Sequence, residues 1–153
     1  MLENTVIAVG LVVVTVVVHA VGFDALLRIL LRSHALERSG FRIVIPSVTA
    51  LTLWLILIHI AEIAVWGEFY VWWGCMPDAE TGFYFSAATY TTLGYGDVTL
   101  PLQWRNLGPI EALTGILMCG LSAGLFFAMV LRWIGNWTQA RNASEAPGET
   151  GLG

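Results

Sequence analysis

Seven consecutive residues, Thr91-Thr92-Leu93-Gly94-Tyr95-Gly96-Asp97, combine two hydroxyls, two glycines on alternate positions and a terminal carboxylate. An apolar run, residues 82–92 (GFYFSAATYTT), leads into them. Eleven residues are too few to cross a bilayer, so the run reads as a re-entrant helix. Non-helical backbone at membrane depth is tolerated only where it is buried in protein or lines a wet cavity. A half-helix followed by exposed backbone therefore implies a polar pathway.

Other groups carry chemistry of a different kind. His59 and Glu62 stand three apart, so on a helix they share a face. Such a pair is half of a metal site in helical carboxylate proteins, but the sequence shows no second copy of it. The competing expectation is that Glu62 faces protein or water near the outer end of its span, close to the re-entrant helix. Glu111, at the start of the last apolar stretch, reads the same way. His19 and Asp24 lie in the first stretch, where ionisable groups are candidates for function by default. Asp24 stands four residues before Arg28 and is expected to pair with it. Cys75 and Cys119 are expected to stay free thiols.

These groups need elements to hold them, and the composition says where. Apolar types make up 57% of the 153 residues and charged types 12%, where about 25% is usual for a soluble domain. All seven basic residues are arginines and the net charge is −4, which argues against a nucleic-acid surface. Two cysteines make no disulfide framework. The chain reads as a membrane protein. Residues 4–23, 43–61 and 112–131 hold no Asp, Glu, Lys or Arg. Each stretch is close to the roughly 20 residues that cross a hydrocarbon core. Three transmembrane helices are predicted, at about 4–31, 43–67 and 109–134. The first is not a signal peptide, since Met1–Asn4 carries Glu3, no positive charge, and no cleavage site follows.

Arginine placement orients the spans. Arg28, Arg32, Arg38 and Arg42 surround the first linker, and Arg132 and Arg141 follow the third span. The segment 68–108 has Arg105 alone beside Glu68, Asp78, Glu80 and Asp97. The positive-inside rule puts the linker and C-terminus in the cytoplasm, with the N-terminus and the 68–108 segment outside. Trp66, Tyr70, Trp72 and Trp73 at one end, and Trp133 and Trp137 at the other, read as interfacial aromatic belts or as rings packed on one another. The polar tail 135–153 reads as disordered and cytoplasmic. The chain thus divides into an N-terminal helix with an arginine-rich linker (1–42), a segment of two spans with the re-entrant helix between them (43–134) and a tail (135–153).

The string Thr91-Thr92-Leu93-Gly94-Tyr95-Gly96-Asp97 resembles the selectivity filter of the potassium channel family, with its T-V-G-Y-G loop. The resemblance covers residues 82–134 closely, as pore helix, filter and inner helix. Residues 43–67 fit as the outer helix. A dehydrated cation needs oxygens in place of its water shell, so successive carbonyls must face one axis. Glycines at 94 and 96 supply the positive φ this requires. The resemblance implies K⁺ coordination by the carbonyls of Thr92, Leu93, Gly94 and Tyr95 and the Thr92 hydroxyl. It places Gly96 and Asp97 at the outer mouth, and has the Tyr95 ring brace the filter.

The string and the helix before it depart from the family in three places. Leu93 stands for the commoner Val, and only its carbonyl faces the ion. Ala88 stands where many members carry an acid, so no carboxyl pair with Asp97 can form. Tyr90 replaces a small residue, which predicts different packing behind the filter. In the inner helix Gly120 is a candidate hinge, or with Gly124 a close helix contact. Ala123, Phe127 and Leu131 are candidates to line the inner pore. Neither a voltage sensor nor a ligand-binding domain is legible.

The expected protein is all-helical and membrane-embedded. One chain supplies one loop, so a homotetramer with K⁺ as permeant ion and lipid as surround is implied. It carries no catalytic residues, no organic cofactor and no nucleic-acid partner, and sits in a cell membrane of bacterial inner-membrane type. The alternatives are a weakly selective cation channel, a metalloprotein using His59 and Glu62, and a non-conducting subunit.

Overall fold

The computed structural model describes residues 2–32 and 41–145. Its helices are α1 (Leu2–Arg32), α2 (Phe41–Trp72), α3 (Ala79–Tyr90) and α4 (Leu107–Glu145), with a 3-10 turn at Leu102–Trp104. Three stretches, Asn4–Leu30, Ile45–Trp72 and Leu102–Gln139, are long and apolar enough to cross a membrane. The fold is all-helical, as the three charge-free stretches predict. The arginine-rich linker at 33–40 and the tail at 146–153 lie outside the described residues.

The long helices exceed their expected bounds. α2 continues past residue 67 to Trp72, and Gly67 within it lies in a helix contact: a Cβ there would sit 3.0 Å from Phe83 Cα. α4 continues to Glu145, so residues 135–145 are helix and the expected disordered tail does not begin at 135. The stretch 136–145 is polar but has no glycine or proline, and polarity alone does not stop a helix.

α1 lies against α2 and α4, and α3 is held between α2 and α4. Antiparallel order shows in the cores. Leu26 and Leu30 of α1 meet Leu51, Leu55 and Ile58 of α2 and Met129 and Trp133 of α4. At the opposite end Ala8 and Leu11 meet Trp66, Tyr70, Met76, Leu100 and Leu107. The N-terminal end of α1 and the segment before α4 share one end of the bundle, where Asn4 Nδ2 donates to the Gln103 carbonyl at 2.5 Å.

Lipid tails are as apolar as leucine, so close packing and hydrogen bonds hold such helices together. A Cβ on Gly22 would come within 2.6 Å of the Ile58 side chain. Trp54 Nε1 donates to the Gly22 carbonyl at 3.0 Å and Trp66 Nε1 to Thr15 Oγ1 at 2.9 Å. Trp66 and Tyr70 are therefore buried core residues, whereas Trp72, Trp73 and Trp137 are exposed as a belt requires. The rest of α1 shows a row of exposed valines, among them Val6, Val9, Val13 and Val17.

Candidate ion pathway

The half-helix α3 begins at Ala79, three residues before the apolar run. Asp78 caps it, accepting from the Thr81 backbone N–H at 2.8 Å. That bond holds the Asp78 carboxyl below the usual carboxylate range. α3 then lies close on α2 through two glycines: a Cβ on Gly82 would stand 2.8 Å from the Gly67 carbonyl oxygen.

Two buried carboxylates fasten α3. Glu111 of α4 is fully buried, accepting from Tyr70 Oη at 2.7 Å. Ser86 Oγ lies 2.6 Å from the other Glu111 oxygen and 2.8 Å from the Ile63 carbonyl. One acid thus ties α2, α3 and α4 together. Glu62 of α2, also fully buried, accepts from Tyr90 Oη at the last residue of α3. His19 Nδ1 of α1 lies 2.7 Å from Glu62 Oε1, and His59 Nδ1 lies 3.2 Å from Oε2. His59 Nδ1 is also 3.0 Å from Tyr90 Oη. Glu62 and Glu111 thus face protein behind the half-helix, as expected of intramembrane acids. The gathering of His19 into the His59–Glu62 pair was not legible, because helical spacing relates residues of one helix only. The rarity of ionisable groups in a span was the available signal.

α3 ends where its backbone changes hand. Thr91 N–H donates to the Ala87 carbonyl at 3.2 Å and Thr92 N–H to the Thr89 carbonyl at 2.9 Å. Gly94 N–H then reaches back to the Ala88 carbonyl at 3.0 Å. Thr92 has φ 61°, Gly94 φ 54° and Gly96 φ 78°. Left-handed residues therefore fall on every second position, as the glycine spacing predicts. Thr92 holds the same conformation without the freedom of glycine, which costs on the order of 1–3 kcal/mol. Every residue of 91–97 is exposed in the single chain, with Tyr95 at 65%. Within one chain the Tyr95 ring is therefore largely uncovered.

Asp97 finds a partner in spite of Ala88. Tyr84 Oη donates to Asp97 Oδ2 at 2.6 Å, and Val98 N–H to Oδ1 at 3.0 Å. The Tyr84 hydroxyl holds the Asp97 carboxyl below its ordinary value, and the carboxylate pushes the Tyr84 phenol up. Tyr84 stands one turn before Ala88, so helical spacing was a usable signal for this contact. A cleft of about 190 Å³, lined by Tyr84, Ala88, Tyr95 and Asp97 among others, separates α3 from the string.

Against known proteins, the family model described as "Ion channel" matches residues 45–132, more than half of the chain. The chain belongs to the ion channel family. No curated relative and no solved structure matches it. The match takes in α2, α3, the string and most of α4, and leaves α1 outside. The channel is a multi-pass membrane protein, and its family is one of passive conductors.

The remaining sequence expectations fall as follows. Asp24 Oδ2 accepts from Arg28 Nε at 2.6 Å, with both side chains exposed. Cys75 and Cys119 are free thiols. Gly120 and Gly124 lie within an unbroken α4, and a Cβ at either would meet nothing within 4 Å in the single chain. The closest glycine contact of α4 is instead at Gly115, where a Cβ would lie 2.1 Å from the Tyr90 carbonyl oxygen.

Proposed function

We propose that the protein is a K⁺-selective channel with four chains around one pore. The observation that carries this reading is the alternation of left-handed conformations at Thr92, Gly94 and Gly96. Alternating backbone turns the carbonyls of Thr92, Leu93, Gly94 and Tyr95 toward one side, where four chains form rings of oxygens. The Thr92 hydroxyl adds the innermost ring. Exposure of the whole string in a single chain supports assembly, because its polar backbone needs partners at membrane depth. In the tetramer the exposed Tyr95 ring packs against a neighbouring chain.

α3 enters and leaves from the outer face in this arrangement. Its partially negative C-terminal end then favours a cation at mid-membrane. Asp97, with the turn at Gly96, stands at the outer mouth and concentrates cations there. The N-terminus and the segment 68–108 lie outside and the C-terminus in the cytoplasm. The shared end of α1 and the segment before α4 agrees with this topology. Gly120, free of close contact, is the point at which α4 bends to open the inner pore.

The cleft beside Ala88 supports one second reading, a filter held less rigidly and therefore weakly selective among cations. Flux from proteoliposomes in a K⁺ gradient tests both. Uptake that runs with K⁺, stops with Ba²⁺ and fails with Na⁺ fits the selective channel. Equal uptake of K⁺ and Na⁺ fits the second reading and overturns the first.

A further inference from the structure

The cluster that fastens α1 to α3 contains the donor set of a metal site. One ligand atom each from His19, His59 and Glu62 lies within 4.8 Å of the others. The two closest pairs, at 2.7 and 3.2 Å, lie below the spacing of about 3.3 Å that bonds of 2.0–2.1 Å give in a tetrahedron, so the donors part slightly to admit an ion. Tyr90 Oη stands against both His59 and Glu62 as a fourth donor. We propose that His19, His59 and Glu62, with Tyr90, bind one transition-metal dication of the zinc type inside the membrane, joining α1 to the helix that ends at the filter.

Two imidazoles and one carboxylate suit Zn²⁺ and its neighbours in the first transition row, and not Mg²⁺ or Ca²⁺, which prefer oxygen cages. His19 is 97% buried, yet its Nε2 has no hydrogen-bond partner. Hydrogen bonding within the cluster thus leaves a buried polar atom unsatisfied, which disfavours the empty site. His19 Nδ1 faces Glu62, and Nε2 is the ring nitrogen left without a partner.

Charge favours the same occupant. A dication on one carboxylate leaves positive charge beside the C-terminal end of α3, whose partial charge is negative. His59, 18% exposed, is the least buried of the three ligands. Binding at this site does not depend on the pore reading; an effect of the metal on conduction does.

The test uses the full chain, freed of any affinity tag, stripped with a chelator and titrated with Co²⁺ and then Zn²⁺. One Co²⁺ per chain with the intense visible bands of tetrahedral coordination, lost when Zn²⁺ displaces it, is expected. Mg²⁺ and Ca²⁺ leave the spectrum unchanged. His19→Gln and Glu62→Gln each abolish the bands, and Tyr90→Phe weakens the affinity. His34→Gln, at the one remaining histidine of the chain, leaves both unchanged. Absent or pale octahedral bands in the unaltered protein overturn the proposal, whatever the variants do. So does tetrahedral binding that survives in a folded His19→Gln protein. The spectrum is read without ion flux, so failure of the channel reading remains distinct from failure of this one.

Discussion

Gly115→Ala puts the connection between α4 and the filter under direct test. The added Cβ would stand 2.1 Å from the Tyr90 carbonyl oxygen and 3.1 Å from Tyr90 Cδ1. Real Cβ contacts essentially never fall below 3.0 Å, so α3 and α4 must part by about an ångström. The obstacle is a backbone atom at the end of a helix, which cannot rotate away as a side-chain tip can. Overpacking of this kind costs about 1–3 kcal/mol. Alanine returns up to about 1 kcal/mol through helix propensity, so a net loss near 2 kcal/mol at the upper end is expected. For a chain of this size that lowers the melting midpoint by about 4–8 °C.

The functional consequence is larger than the stability loss. Tyr90 is joined directly to Thr91, so a displaced Tyr90 carbonyl moves the start of the 91–97 string. Melting of the purified protein and cation flux from proteoliposomes read the two effects together. Gly108→Ala is the control, because its Cβ meets Thr89 Cγ2 at an ordinary 3.9 Å. A Gly115→Ala protein that melts and conducts like the unaltered one would refute the argument that this contact positions the filter.

Other perturbations have defined outcomes. Gly94→Ala keeps free space around its new Cβ but forces alanine to φ 54°, a strain of about 1–2 kcal/mol, and flux is expected to disappear while the fold persists. Thr15→Val leaves the buried Trp66 indole N–H without an acceptor, costing about 1–3 kcal/mol, which loosens α1 and is read as a lower melting midpoint. Asp97 has a depressed folded pKa, so its bond from Tyr84 contributes fully above the unfolded value of about 3.9 and is lost as pH falls through the folded value. Conductance measured while the outer solution is acidified should therefore fall below that range, and Tyr84→Phe should move the fall upward toward pH 4.

What the sequence made legible follows from the kind of signal each feature leaves. Spans show because three long stretches without charge have few other uses. The string shows because only glycine enters left-handed backbone freely, so its spacing writes the backbone pattern into the chain. Thr92 adopts the same hand with no such mark. The start of α3 at Asp78 was open to a capping argument, as was the Tyr84–Asp97 contact to a helical-spacing one. By contrast, the meeting of His19 with Glu62 joins residues 43 apart on different helices. Periodicity assigns each a face but says nothing about which faces meet. The same limit hid Gly115, whose role depends on a carbonyl of another helix. Burial of Trp66 and Tyr70 was likewise undecided, since a tryptophan at a span end serves an interface or a core equally well.

The central claim, that the 91–97 string selects K⁺, is tested most directly by the reversal potential of the purified channel in a planar bilayer with K⁺ on one side and Na⁺ on the other. The account predicts a reversal displaced far toward the K⁺ equilibrium potential, with the displacement lost in a Gly96→Ala channel that still passes current. A reversal at zero in the unaltered protein would contradict it.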